Sequence, residues 1–414
     1  MDSIPNKMTI VTPWYGEFAG GAEVAARNYA EKLAQCGIKV EILTTCCKSP
    51  YDNWWIDSLE PGTYERNGVL IRRFPVNSKG QQLYEQAVVK HANRSKLSKK
   101  EKYNFFTYGI NSDVLIEFAK NADTTAILAL PYFQALTFSL IKEMPNRVSL
   151  IPCFHDEDQF YWEPIREMLL NARNIIFLSE EEKDLTIRNY GPIIGRKVVE
   201  AVVAGVGVKN KNNTIVVNVK NNEKLDSVRV KYSLPENFFL YVGRKEVGKG
   251  VLELVNWYRE FISQQKKSDS KETPLVFIGG GDPSLIPSDT GFVDLGFVDE
   301  QDKQNLMQAA QGVINLSTNE SFSLVIMEAW LRGTPVIVSS ECEVTAGHCR
   351  RGHGGLPVKD VEEFCKALDI LTKNQETNST IGRQGYTYVC TNYNWPSVIE
   401  KIIYGITTNW RDCV

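Results

Sequence analysis

The chain contains no CxxC pair, no HExxH motif and only four histidines in 414 residues. Its nine cysteines are scattered and odd in number, with Cys46 and Cys47 adjacent. That pattern argues against a disulfide framework or a zinc site and for reduced thiols in a cytoplasmic protein. No apolar run is long enough to cross a bilayer, and the opening MDSIPNKMTIVTPW carries no apolar signal core. A charge excess is missing as well. The 47 basic and 50 acidic residues leave a net charge of −3, which offers nucleic acid no global attraction. Two nucleotide fingerprints are also incomplete. GRKEVGKG at 243–250 lacks the Gly-Lys-Ser/Thr ending of a Walker loop, and IGGGDP at 278–283 is followed by Ser284 where a GxGxxG pattern needs glycine. A nicotinamide dehydrogenase is therefore disfavoured.

With 43% apolar and 23% charged residues, a chain of this length has material for two soluble cores. Short buried strands alternate with amphipathic helices. In the first half we predict strands over 8–12, 40–44, 126–130, 148–152, 175–178 and 198–203, with an outer strand over 68–74. Helices are expected over 22–37, 134–143, 161–171 and 180–190. A polar, asparagine-rich stretch at 209–233 breaks the alternation, with one candidate strand at 215–219. It resumes with strands at 238–242, 275–278 and 293–295 and helices at 251–265 and 301–310, followed by helices over 361–373, 378–390 and 395–406. This is the grammar of parallel sheets covered by helices on both faces. The polar stretch divides the chain into expected domains 1–208 and 209–392.

The segment VINLSTNESFSLVIMEAWLRGTPVIV (313–338) organises the second half. It reads as strand, polar loop, helix over 322–331 and strand. Glu320 precedes the helix and Glu328 lies about two turns along it. Between them, the amides at Ser321, Phe322 and Ser323 occupy a helix start, where a phosphate or sugar oxygen can be held. Carboxylates accept hydrogen bonds from vicinal hydroxyls, so the pair suits a phosphorylated, polyhydroxylated ligand. An N-cap-region acid and a solvated helix position are the plainer alternatives.

Three further loops each follow a strand. GRKEVGKG supplies Gly243 and the cations Arg244 and Lys249, a fork and a point charge able to hold a diphosphate without a metal. The turn around Gly280 allows close backbone approach. Gly296–Phe297–Val298–Asp299 joins a strand to a helix, where backbone groups could read a base edge. In the first half, Gly20 and Gly21 open a helix, with Glu17 as a neighbouring acceptor. His155 and Asp156 lie at a strand end, the edge where ligands of parallel sheets settle.

In this order, GRKEVGKG, IGGGDP, LGFVDE, the two glutamates eight residues apart and GTPVIVS resemble the retaining GT-B glycosyltransferases of family 4, group 1. The opening PWYGEFAGGAEVAARNYAEKLAQCGIKVEILT and VVAGVGV at 202–208 are similar to that family's first βα unit and its entry to the linker. The resemblance implies two Rossmann-like domains facing an interdomain cleft, with a terminal helix at about 393–414 crossing back to the first domain. It implies that Arg244 and Lys249 neutralise the donor diphosphate in place of a metal, with no cofactor required. It further implies that Glu328 takes the ribose hydroxyls, Val298 the base through its backbone, Glu320 the sugar, and the amides of Phe322, Ser323 and Leu324 the sugar and phosphate. His155 would lie near the reacting centre and Gly20–Gly21 near the phosphate. UDP-hexose is the expected donor, with a saccharide or lipid-linked saccharide as acceptor. The family's glycine-rich turn before Glu343 is missing from SSECEVTAGHCRRGHGGLPV (339–358), and nothing in 47–110 maps to a family motif. A sugar-nucleotide 2-epimerase and a non-catalytic nucleotide-sugar sensor are the alternatives within the fold.

Residues 90–102 carry six lysines or arginines and abut the aromatics at 103–106. The run suits weak peripheral contact with an anionic inner membrane face. A solvated helix face is the plainer reading.

Overall fold

The structure, a computed structural model, describes residues 5–16, 20–124, 126–208, 222–267 and 272–408. Contacts divide the chain into two units, Met1–Gly207 with Trp395–Val414, and Val208–Asn394. Glu17 and the expected strand at 215–219 lie outside the described residues.

The first unit is built on β1 (Lys7–Val11), β2 (Lys39–Thr45), β3 (Gly62–Arg66), β4 (Val69–Phe74), β5 (Ala126–Ala129) and β6 (Val148–Leu150). They form one sheet in the order β3-β4-β2-β1-β5-β6. All its pairings are parallel except the β3–β4 hairpin. β7 (Ile176–Phe177) and β8 (Val202–Val203) pair beside it, linked by a bridge from Leu150 to Ile175. The strands β1, β2 and β5 are almost wholly buried because helices cover both faces. The helix Trp395–Thr407 belongs to this unit. Trp395 packs on Gly207, where a methyl group would lie 2.4 Å from the indole, and the Asn174 amide donates to the Ile406 carbonyl at 3.1 Å.

The second unit is a sheet of six parallel strands: β9 (Phe239–Val242), β10 (Leu275–Ile278), β11 (Phe292–Asp294), β12 (Gly312–Asn315), β13 (Val336–Ser339) and β14 (Gly355–Val358). Their order is β11-β10-β9-β12-β13-β14. The chain winds outward from β9 in one direction and returns on its other side at β12. That reversal opens a crevice at the carboxyl ends of β9 and β12. The doubly wound α/β class expected from the alternation is what the chain adopts.

Some expectations are corrected. The strand expected at 198–203 is a helical turn, Arg196–Val199, and only Val202–Val203 pairs. The segment 68–74 is an inner strand, because β3 folds back over it through Asn67 and Gly68, both at positive φ. The helix expected from 322 begins at Leu324, since Ser323 is left-handed at φ 65°. Three helices, Gln81–Ala92, Lys99–Tyr108 and Asp113–Asn121, fill the region before β5, where the only helical expectation was the solvated face at 90–102. The basic run spans two of them. Lys90 pairs with Glu101 at 2.8 Å, and Ser98 and Glu101 form a capping box. Phe105 and Phe106 are buried in the core, so neither ring is available to a membrane. Among the described residues no helix is long and apolar enough to cross one.

Candidate functional site

The loop leaving β9 is fixed from below. Tyr241, buried on β9, donates its hydroxyl to the Arg244 carbonyl at 2.7 Å. Burial pushes that phenol well above its usual range, so it stays a donor. Gly279 and Gly281, both at positive φ, pack directly on this loop: methyl groups there would lie 2.2 Å from the Gly243 carbonyl oxygen and 2.5 Å from the Lys245 amide. Only glycine fits either position. The buried Lys245 closes the set, donating to the Gly279 carbonyl at 2.8 Å and pairing with Asp294 at 2.8 Å. The Gly279 amide in turn donates to the Gly296 carbonyl at 2.7 Å. The loops after β9, β10 and β11 are thus one locked platform.

Beyond Lys245 the chain makes a short turn, Val247–Lys249, and Gly250 takes a left-handed conformation at φ 71°. A methyl group at Gly250 would lie 2.5 Å from the Leu316 carbonyl, so this turn rests on the exit of β12. The contact brings Lys249 to Glu320, Nζ to Oε1, at 3.0 Å. Arg244 pairs with Glu246 at 3.0 Å and is the more exposed cation. Two of the residues singled out in sequence, 71 positions apart, therefore meet at the topological switch point.

The loop from β12 to the helix Leu324–Leu331 is held by Asn315. Its carboxamide donates to the Ser323 hydroxyl at 3.1 Å and accepts from the Ser317 amide at 2.9 Å. Engaged this way, the Ser323 side chain makes no capping hydrogen bond to the helix's first-turn amides. Phe322 is buried against the rings of His348, at 5.5 Å, and Tyr393, at 5.0 Å. The left-handed Ser323 costs on the order of 1–3 kcal/mol, and this packing holds it there. His348 accepts at Nδ1 from Arg351, which can only donate, so its proton sits on Nε2. Burial, with Arg351 adding to it, pushes the imidazole down to about 3.

Further along the helix, Glu328 pairs with Lys303 at 3.0 Å, and Lys303 also reaches Glu300 at 3.0 Å. Desolvation raises the Glu328 carboxyl against the pull of Lys303. Val298 is half-buried beside the platform, in the loop before the Asp299-capped helix Glu300–Ala309. The sequence reading missed Lys245, Asn315, Lys303 and His348. Lys245 was visible only as a third cation in GRKEVGKG.

In the first unit, Gly20 is the N-cap of the helix Gly21–Gln35, and Glu23 folds back over it, so that a methyl group on Gly20 would lie 1.9 Å from the carboxylate. Gly21 has open space around it. His155 follows β6 in a loop that turns at Cys153, φ 59°. The buried Glu182 pins this loop, accepting from the Phe154 and Leu178 amides at 2.6 Å each. Its carboxyl is pushed up to about 8 by burial, against the pull of those amides. His155 Nδ1 stands 3.7 Å from Glu157, which also accepts from the Tyr132 hydroxyl. Burial works against the Glu157 charge, but His155 and Tyr132 outweigh it and hold the carboxyl below its usual range.

Residues 236–374, within the second unit, match the family described as "Glycosyl transferases group 1". A trehalose synthase of Rubrobacter xylanophilus is 26% identical over 187 residues, 39% of this chain and 41% of that protein. The chain thus aligns with about two fifths of that relative's length. Over nearly their whole lengths, two solved structures share the fold. The sucrose-phosphate synthase of Thermosynechococcus elongatus has a TM-score of 0.63 at 18% identity, covering 96% of this chain and 97% of that one. The E. coli trehalose-6-phosphate structure bound with UDP-2-fluoro glucose has a TM-score of 0.72 at 12% identity, covering 97% and 99%. The fold is GT-B, and the switch-point loops lie in the segment matching the group 1 family.

Proposed function

We propose that this protein is a retaining, metal-independent glycosyltransferase of family 4. In this reading it moves a hexose from a nucleoside-diphosphate sugar, UDP-glucose or a close relative, to a saccharide or lipid-linked saccharide in polysaccharide or glycoconjugate synthesis. The observation that carries it is the contact of Lys249 with Glu320 at the switch point, above the platform that presents Arg244. The group 1 match over the same loops supports it, and the UDP-2-fluoro glucose in the E. coli structure favours a UDP-sugar.

Cleaving a sugar–phosphate bond puts charge on the departing diphosphate. Arg244 and Lys249, preorganised beside uncapped helix amides, lower the barrier by meeting that charge as it develops. Glu328 accepts the ribose hydroxyls, Glu320 those of the sugar, and the Val298 backbone the base. Gly243 and Gly280 let the backbone approach the ligand, and the amides of 321–324 hold sugar and phosphate. No carboxylate of this set is poised as a nucleophile, so the acceptor attacks from the leaving-group face while the diphosphate takes its proton. Gly20, Gly21 and His155 contribute from the first unit. His155→Ala is expected to keep nucleotide affinity and lose most transfer.

The test is a panel of nucleotide sugars and saccharide acceptors, assayed in chelator, with the product anomer read by proton NMR. A retained anomeric configuration at full rate in chelator is expected. Loss of activity in chelator removes the metal-free mechanism, an inverted product removes retention, and a 2-epimer formed without acceptor replaces transfer by epimerisation.

A further inference from the structure

Glu182, in the first turn of the helix Glu180–Ile194, is only 1% exposed. A buried carboxylate is costly unless donors meet its oxygens. Here the donors are backbone amides from the loops that leave β6 and β7. Oε1 accepts from Phe154 and Oε2 from Leu178, at 2.6 Å each, and the amides of Ser179 and Cys153 add to their pull. The titratable groups that face it, Tyr29 on the helix Gly21–Gln35 and Cys153 on the loop, are kept neutral by burial. The loop leaving β6 needs this hold. Cys153 stands at φ 59°, a left-handed conformation that costs a non-glycine residue about 1–3 kcal/mol. Phe154 follows, buried between the rings of Tyr132, at 4.8 Å, and Phe160, at 4.9 Å. The strained turn, its tie to Glu182 and the imidazole of His155 thus fall on three successive residues.

We propose that Glu182 is a positioning residue for sugar transfer: by tying the strained loop to the end of β7, it sets where His155 presents its imidazole. This rests on the proposed function, in which His155 contributes from the first unit. The side chain is a glutamate for a geometric reason. With both oxygens accepting, the ionised carboxylate satisfies both loops at once. A glutamine of the same shape offers one acceptor oxygen and an NH2 group that meets the other amide donor to donor. One tie is then lost, and the strain at Cys153 is free to relax. A misplacement of about 1 Å in a reacting group costs about 100-fold in rate. Glu182 is too enclosed to touch a substrate, so its effect on turnover passes through His155.

The test is a kinetic cycle on the full chain with UDP-glucose and saccharide acceptors, for wild type, Glu182→Gln, His155→Ala and the double variant. It is run above a pH of about 8, where the Glu182 carboxylate is ionised, with UDP affinity read by calorimetry. Glu182→Gln is expected to lower kcat about ten-fold or more, leave UDP affinity unchanged, and add nothing in the His155→Ala background. Cys153→Gly, which takes φ 59° without strain, is expected to restore turnover to Glu182→Gln. If Glu182→Gln alone does not fold, the same cycle is run in the Cys153→Gly background. If wild type transfers sugar and Glu182→Gln does so at the same rate, the positioning role is refuted and the transferase reading stands. Equal losses with and without His155 also refute it, because Glu182 would then act on the unit as a whole. A loss that Cys153→Gly leaves untouched refutes it as well. If wild type transfers to no acceptor, the transferase reading falls and the positioning role with it.

Discussion

Each proposed ligand-binding carboxylate is already held by a lysine: Glu320 by Lys249, and Glu328 by Lys303. A donor diphosphate must compete with Glu320 for Lys249, whereas a ribose can use the Glu328 oxygen that Lys303 leaves free. Removing either phosphate cation should therefore be costly. Lys249→Ala or Arg244→Ala is expected to lower kcat/KM at least about 30-fold, roughly 2 kcal/mol, as steady-state kinetics would show. A Lys249→Ala enzyme near wild type contradicts the clamp. The glutamates should separate by ligand. Glu328→Gln weakens free nucleotide and intact donor together, while Glu320→Gln leaves nucleotide affinity nearly intact and lowers turnover; equal losses of nucleotide binding would refute this division. Lys249 and Glu320, which meet at the switch point, were legible as candidates because short motifs carry them. Lys245, Lys303 and Asn315 were not, because a lysine's burial or partner depends on which strands and helices become neighbours.

The elements that support these residues titrate. His348 sits under the loop that leaves β12 as a neutral ring, in contact with Phe322 and Tyr393. Its ordinary value is 6.5 and its folded value about 3. Above 6.5 neither state binds the proton, and between the two values only the unfolded chain does. Its contribution is therefore complete at neutral pH and is lost as pH falls from about 6.5 towards about 3. His348→Phe gives up the 2.9 Å contact with Tyr388, at about 1 kcal/mol, and should lose less stability on acidification than wild type. Denaturant midpoints at about pH 7 and about pH 5 would show it, and equal acid sensitivity would contradict it. Legibility at this scale followed burial. Strands such as β10 and β12, buried on both faces, were placed within a residue or two. β3 was missed because all five of its residues are exposed and show no apolar pattern, although the Asn67–Gly68 turn marked the hairpin. Two of the three helices before β5, Gln81–Ala92 and Lys99–Tyr108, carry the basic run between them, and its charge hid the buried Phe105 and Phe106.

At the scale of the molecule, the first unit is completed by a helix from the far end of the chain. Gly207 admits Trp395, and Tyr29 meets that indole edge-on at 6.2 Å. Gly207→Ala drives a methyl group into the ring and is expected to cost about 1–3 kcal/mol, lowering the denaturation midpoint. An unchanged midpoint would show that the helix adds little to the unit. The helix over 395–406 was legible as an apolar, helical pattern and its return to the first unit only through the family resemblance, while its seat on Gly207 was not legible, since a glycine gives no sign of what lies against it. On the proposed function, the switch point of the second unit holds a nucleotide-sugar diphosphate. A crystal structure of the full chain with UDP-glucose tests it most directly. The diphosphate is expected within hydrogen-bonding distance of Arg244 and Lys249, the ribose on Glu328 and the hexose on Glu320. A nucleotide bound elsewhere, or one whose phosphates touch neither cation, would contradict it.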